Sequence, residues 1–153
     1  MASRRFAQIV GGLFLLVGIL GFIPGFRSMP HSDAASDLTM NAWYGLLFGL
    51  FPVNGIHNWI HIGVGIAGLY SFRSVSMARH FARGLTWCYA VLAMMGVIPS
   101  FNMAFGIIPL DGWNVWLHGS TALLASYFGY GRRARAEEVA ARYAEPLHLV
   151  TRS

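Results

Sequence analysis

The sequence predicts an all-α protein, a four-helix transmembrane bundle made of two repeated helical hairpins. Three observations predict this fold: the composition, four long apolar stretches and an internal repeat. Of the 153 residues, 56% are hydrophobic and only 11% are charged, whereas an ordinary soluble domain carries about 25% charged residues. Eleven basic and six acidic side chains are too few to cover the surface of a soluble domain of this size. The composition therefore predicts an integral membrane protein.

The four apolar stretches are long enough to cross a hydrocarbon core of roughly 30 Å. They occupy residues 6–26, 54–72, 82–99 and 113–130. The first is interpreted as a retained helix, because its apolar run exceeds the roughly 7–15 residues of a signal peptide. We assign residues 1–130 to a four-span transmembrane domain and residues 131–153 to a tail. The tail is expected to be an exposed helix that prolongs span four and ends at Pro146, with an i,i+4 pair between Glu138 and Arg142.

The distribution of arginine predicts the orientation. Ten of the eleven basic residues, all arginines, lie before span one, between spans two and three, or after span four, and only Arg27 lies on the other side. Because arginine-rich loops stay in the cytoplasm, both termini are predicted to be cytoplasmic, in a multi-pass protein of the bacterial inner membrane. The arginines are interpreted as topology signals and contacts to lipid phosphates. They flank three membrane segments instead of forming one basic face, which argues against nucleic-acid binding.

Tryptophan and tyrosine are distributed as expected for rings at the two membrane interfaces. The predicted outer group is Trp43, Trp59, Trp113 and Trp116, and the predicted inner group is Tyr70, Trp87, Tyr89, Tyr127 and Tyr130.

An internal repeat is the most specific signal in the chain. The segment PVNGIHNWIH at 52–61 aligns without a gap with PLDGWNVWLH at 109–118, and GFIPGF at 21–26 aligns with GVIPSF at 96–101. Each repeat is therefore a two-helix hairpin. Spans one and three run in the same direction, so the halves are predicted to be related by a pseudo-two-fold axis along the membrane normal. Asn54 and Asp111 are expected to cap the helices that begin after them.

Three histidines lie within the predicted spans: His57, His61 and His118. His61 and His118 are repeat equivalents and are expected at one depth. Helical spacing predicts two equivalent stripes, one of His57, His61, Gly65 and Gly68 and the other of Asn114, His118, Ala122 and Ala125. Polar side chains within a membrane usually face the bundle interior. The candidate cofactor-binding residues are therefore His57, Asn58, His61, Asn114 and His118, and the candidate metal ligands are His57, His61 and His118.

Three interpretations of this histidine site remain open. The imidazoles and amides could hydrogen-bond between helices and organise the bundle. Two imidazoles on symmetry-related helices also suit a haem iron or a divalent metal ion. A small hydrophobic ligand, pigment or partner-helix groove is the third. The spans contain no nucleophile beside a histidine and no carboxylate, so catalysis is not predicted. The outer-loop residues His31, Asp33 and Asp37 form a weaker candidate metal site.

The motifs GILGFIPG at 18–25, GLFPVNGIHNWIH at 49–61 and NVWLH at 114–118 resemble a family of small bacterial membrane proteins, mostly actinobacterial, with four transmembrane helices and no assigned activity. The resemblance covers residues 6–130. It implies the four-helix fold and marks His57, Asn58, His61, Asn114 and His118 as signature positions. We expect a binding or structural role. The first alternative is an accessory subunit of a larger membrane complex, in which Gly11, Gly12 and Gly18 would provide the docking surface. The second is a minimal transporter, which would need to form a homo-oligomer.

Overall fold

The computed structural model describes residues 2–29 and 38–144, and this part of the chain is predominantly helical. The prediction of a mainly α-helical protein is therefore confirmed. The helices are α1 (Ala2–Leu20), α2 (Gly55–Ser71), α3 (Val75–Val97), α4 (Trp113–Tyr130) and α5 (Arg132–Ala144). A short 3₁₀ helix (Pro24–Phe26) and three short strands, β1 (Arg27–Ser28), β2 (Gly45–Leu47) and β3 (Phe51–Val53), lie between α1 and α2.

The helices pair as two hairpins, with α1 against α2 and α3 against α4. Close approach of α1 and α2 depends on glycine. A Cβ atom added at Gly65 would lie 2.5 Å from the backbone nitrogen of Leu15, and one at Gly68 would lie 2.7 Å from the Cα of Gly11. The hairpins meet mainly through α1 and α3. The core between them is formed by Phe6, Ala82, Leu85, Tyr89, Ala122 and Ala125.

Two helix boundaries and one connection differ from the predictions. Helix α1 ends at Leu20, well before residue 26, and α3 begins at Val75 instead of near residue 82. The early start of α3 has a local cause, because the hydroxyl of Ser74 accepts a hydrogen bond from the backbone N–H of Met77 at 3.1 Å and so caps the helix. Helix α5 does not prolong α4, since Gly131 between them is extended, with ψ of 157°.

The expected pair between Glu138 and Arg142 is present in α5, with an N–O distance of 3.1 Å. The predicted helix end at Pro146 lies outside the described residues.

The three-stranded sheet was not predicted. Strand β2 pairs antiparallel with both β1 and β3, and the β2–β3 turn places Phe48 and Gly49 at φ of 54° and 71°. Strands of two or three residues are too short to show the alternation that identifies a strand in a sequence. Arg27, the arginine predicted on the outer side, donates from one guanidinium nitrogen to the carbonyl oxygens of Trp43 and Tyr44 and so ties this sheet to its connecting loop.

One of the two predicted helix caps is correct. Asn54 caps α2, and its side-chain oxygen accepts a hydrogen bond from the N–H of His57 at 2.9 Å. The prediction that Asp111 caps α4 is wrong. Helix α4 begins at Trp113, after Gly112 at φ of 61°, and the cap makes no side-chain hydrogen bond. The half-buried Asp111 carboxyl has an oxygen without a partner among the described residues, and burial raises its pKa.

Among the described helices, α1 is the one that is both long and apolar enough by itself to cross a membrane. Helix α2 has 17 residues, which is at the lower limit of about 17–25 residues for a span. Helix α3 includes Arg79 and Arg83, and α4 includes Asn114 and His118. These polar side chains lower the mean hydropathy of α3 and α4.

Candidate functional site: a buried histidine cluster

The two stripes predicted from helical spacing both face the protein interior. Every member of the first stripe is buried in α2, and every member of the second is buried in α4. The histidines themselves are nearly inaccessible, with His57 and His61 each 3% exposed and His118 1% exposed. All five residues of the predicted site are therefore buried: His57, Asn58, His61, Asn114 and His118. The structure brings the three histidine rings together, whereas Asn58 lies against Gly21 and Asn114 bonds the carbonyls of Pro52 and Pro109.

The imidazole rings form a cluster with two aromatic side chains. The ring centroid of His57 lies 4.4 Å from that of His61 and 6.1 Å from that of His118. Phe14 of α1 lies 5.4 Å from His61, and Tyr89 of α3 lies 5.3 Å from His118. Phe14 and Tyr89 also contact each other, at 5.3 Å. Each histidine-bearing helix thus meets an aromatic ring from its partner helix.

Several buried polar atoms of the predicted site make no hydrogen bond with the described residues. These atoms are the Nδ1 atoms of His57, His61 and His118 and both amide atoms of Asn58. Asn58 lies against Gly21, where an added Cβ would be 2.0 Å from its side-chain oxygen. An unsatisfied buried polar group costs about 1–3 kcal/mol. The cluster therefore retains hydrogen-bonding capacity that a bound molecule could use.

The described residues contain no group of three histidine, cysteine or acidic side chains placed to hold a metal ion together. The assignment of His57, His61 and His118 as metal ligands stays a prediction, as does haem binding. The weaker site at His31, Asp33 and Asp37 lies outside the described residues.

Two asparagine side chains make polar links between the two halves of the chain. The Asn114 amide nitrogen donates to the carbonyl oxygens of Pro52, at 2.7 Å, and Pro109, at 3.0 Å. The Asn54 amide nitrogen donates to the carbonyl oxygens of Met40 and Ile107. Each asparagine therefore joins its own half to the other half. The acceptors of these bonds lie in β3 and in loops, so hydrogen bonding between helices by the imidazoles and amides stays a prediction.

An apolar groove of about 300 Å³ runs between α1 and α4 and reaches the cluster at His61. Its walls are formed on α1 by Phe6, Val10, Leu13, Phe14 and Val17, and on α4 by Leu117, Ser120, Thr121 and Leu124. His61 of α2 also lines the groove. Besides its imidazole, the hydrogen-bonding side chains that line the groove are Ser120 and Thr121. His61 thus differs from its repeat equivalent His118, because its ring faces a space that a ligand could enter.

Residues 4–131 match the family model described as a domain of unknown function, DUF4383. The chain belongs to this family. The match confirms the resemblance inferred from the sequence motifs and covers the four hairpin helices, which form the DUF4383 domain of this chain. No curated protein and no solved structure matches the chain.

Sequence reasoning missed two side chains of the cluster in this DUF4383 protein. Tyr89 was predicted at the inner interface, but it is 2% exposed and lies against His118. A usable signal was present, because Ala78, Ala82, Leu85 and Tyr89 follow the 4-3-4 spacing of a buried helix face. Phe14 offered no comparable signal, because every residue of α1 from Ile9 to Leu20 is apolar or glycine.

Proposed function

We propose that this protein is a four-span protein of the bacterial inner membrane that binds a lipid-soluble small molecule in the α1–α4 groove, with His61 as the polar contact. The observation that carries this proposal is the placement of His61. Its ring belongs to a buried polar cluster and also forms part of the wall of an otherwise apolar groove. Ligand sites in proteins typically combine apolar walls with a few positioned polar groups.

The distribution of exposed side chains supports a membrane location for all four hairpin helices. Each of them turns large apolar side chains outward, including Leu13 of α1, Ile66 of α2, Met94 of α3 and Leu123 of α4, which are 56–74% exposed. Small and polar side chains face inward on α2 and α4. Such large exposed apolar surfaces are rare on soluble monomers, whereas small residues at helix contacts are typical of membrane bundles.

The proposed orientation places the arginine-rich end in the cytoplasm. Arg4 at the start of α1 donates to the carbonyl oxygen of Phe72 at the end of α2, at 2.6 Å. Arg79 and Arg83 both donate to the carbonyl oxygen of Gly129, near the end of α4. The hydroxyl of Ser3 in α1 also donates to the carbonyl oxygen of Phe128 in α4. The arginines at the start of α1 and near the start of α3 therefore lie at the same end of the bundle. Both termini are therefore assigned to the cytoplasm.

Equivalent contacts support a pseudo-two-fold relation between the hairpins. The offset of 75 residues that aligns Gly21 with Gly96 also aligns Phe14 with Tyr89. Each of these rings lies against the repeat-equivalent histidine of its partner helix, at 5.4 and 5.3 Å. Gly21 approaches Asn58, and Gly96 approaches Val115, the repeat equivalent of Asn58. The contact between Phe14 and Tyr89 would then lie on the symmetry axis.

The size and chemistry of the groove favour a small ring-bearing molecule with one hydrogen-bonding group. A volume of about 300 Å³ is about twice that of the engineered apolar cavities of roughly 150 Å³ that hold benzene. The groove is open on one side, which in the proposed orientation faces the lipid. A lipid-soluble molecule could therefore enter from the bilayer without passing through water.

The test uses the full-length protein in a mild neutral detergent and 1-aminoanthracene, a fluorescent aromatic amine, as the probe. We expect saturable binding that His61→Asn weakens about tenfold, as loss of one hydrogen bond at a buried site predicts. Thr121→Phe should also weaken binding, because the larger ring fills the groove. His118→Asn is the matched control for the first variant, and Leu123→Phe, on the outer face of α4, is the control for the second.

Equal loss of probe binding in His61→Asn and His118→Asn would contradict the proposal, as would unchanged binding in Thr121→Phe.

An absorption spectrum and a metal analysis of the same preparation test the haem and metal predictions independently. Co-purification of a stoichiometric membrane partner would favour the alternative, a subunit of a larger complex. The prediction that Gly11, Gly12 and Gly18 form a docking surface for a partner is wrong for Gly11 and Gly18, because these two glycines contact α2 within the chain.

A further inference from the structure

A polar concavity lies between α3 and α5, at the opposite end of the protein from the three-stranded sheet. It is lined by Arg79, Arg83, Arg135, Glu138, Val139 and Arg142 and has a volume of about 430 Å³. Four guanidinium groups and one carboxylate therefore share this space, which leaves a formal excess of three positive charges. We call this feature the arginine pocket.

The buried arginine of the pocket is held in place by the protein. Arg79 is 1% exposed. One of its nitrogens donates to the carbonyl oxygen of Gly129 at 3.2 Å, and another forms an ion pair with Glu138. Its Nε makes no hydrogen bond within the described part of the chain. Arg83 donates to the same Gly129 carbonyl at 3.1 Å, so both side chains are anchored on the end of α4.

The local charges of the pocket are not balanced by the one carboxylate. Glu138 pairs with Arg79 and with Arg142, while Arg83 and Arg135 have no ion pair within the described residues. The guanidinium groups of Arg83, Arg135 and Arg142 line the same space as that of Arg79, so like charges repel one another there. A bound anion would relieve this repulsion between like charges.

We infer that the arginine pocket is a binding site for a phosphate group, in which Arg135 and Arg142 of α5 close over the arginines anchored on α3. Guanidinium groups are suited to phosphate because their planar N–H donors can bind two oxygens at once. Basic pockets at the cytoplasmic ends of membrane helices are typical sites for phospholipid head groups. The phosphate could belong to a lipid head group or to a soluble phosphate.

The experiment compares these two sources on the delipidated full-length protein in neutral detergent. Calorimetry measures binding of inorganic phosphate, and native mass spectrometry compares how much added phosphatidylglycerol and phosphatidylcholine the protein binds. Arg135→Gln and Arg142→Gln are each expected to weaken binding about tenfold, as loss of one charge-assisted hydrogen bond predicts. Arg132→Gln and Arg133→Gln are matched controls, since they remove the same charge from exposed positions of α5 that do not line the pocket.

One further variant is expected to strengthen binding, an effect that a folding defect would not produce. Glu138→Gln removes the internal anion that competes for the arginines, so it should tighten binding about tenfold. Binding of phosphate supports a soluble ligand, and selective binding of phosphatidylglycerol supports a lipid head group. The inference is overturned if neither probe binds saturably, or if the control variants weaken binding as much as the pocket variants. None of these outcomes depends on the α1–α4 groove.

Discussion

Asn54 combines two structural roles in one side chain. Its oxygen caps α2 by accepting from the N–H of His57, and its nitrogen donates to the carbonyl oxygens of Met40 and Ile107. The residue is 0% exposed, so water cannot replace these hydrogen bonds. Its repeat equivalent, Asp111, performs neither role through its side chain, because a carboxylate has no N–H to donate and α4 begins after Gly112.

We expect Asn54→Ala to lower the free energy of unfolding by about 2–4 kcal/mol, since it removes the cap and leaves two carbonyl oxygens without donors. Asn54→Ser should lose less, because serine retains the cap acceptor. The measurement is reversible unfolding of the purified protein in detergent. Asn41→Ala, an exposed asparagine nearby, is the control and should change stability by less than about 0.5 kcal/mol. Similar losses in the serine and alanine variants would show that the cap contributes nothing.

At the scale of secondary-structure elements, the α1–α2 hairpin depends on a close helix contact at glycine. Gly65 faces the backbone of Leu15, whereas Gly63, two residues earlier, has no other described atom within 4 Å of its added Cβ position. A methyl group at Gly65 must therefore push the helices apart.

We predict that Gly65→Ala destabilises the protein by about 1–3 kcal/mol, the usual cost of overpacking. Gly63→Ala should be neutral or stabilising by up to about 1 kcal/mol, because alanine favours a helix more than glycine does. Thermal unfolding followed by circular dichroism measures both variants. A Gly65→Ala protein as stable as Gly63→Ala would mean that α1 and α2 do not approach as closely as the structure shows.

For the whole molecule, the testable property is the orientation in the membrane. Cys88 is the single cysteine of the chain, so Cys88→Ser gives a background without thiols. Ala42 lies exposed near the three-stranded sheet, and Ala136 lies exposed on α5.

In intact cells, we expect a membrane-impermeant maleimide to label Ala42→Cys in this background. Ala136→Cys should be labelled only after the membrane is permeabilised. Labelling of both positions in permeabilised cells is the control for thiol accessibility. Labelling of Ala136→Cys in intact cells would reverse the proposed orientation.

Much of the candidate site was predictable because helical spacing and the repeat are local properties. His57, His61, Asn114 and His118 were assigned to buried faces from the sequence, and all four are buried. The Asn54 cap was predicted for the same reason, since a cap involves residues three positions apart. By contrast, Tyr89 was assigned to an interface from its residue type, although its burial depends on how α3 packs.

The mainly helical class, the family, the buried stripes of α2 and α4 and the cap of α2 could all be predicted from the sequence. Each of these follows from composition, periodicity or a short motif. Helix packing was needed to show that Phe14 and Tyr89 join the histidines, that His61 and not His118 lines the α1–α4 groove, and that arginines of α3 and α5 share one pocket. These features depend on distances between residues far apart in the chain, which are set by helix packing and not by local pattern.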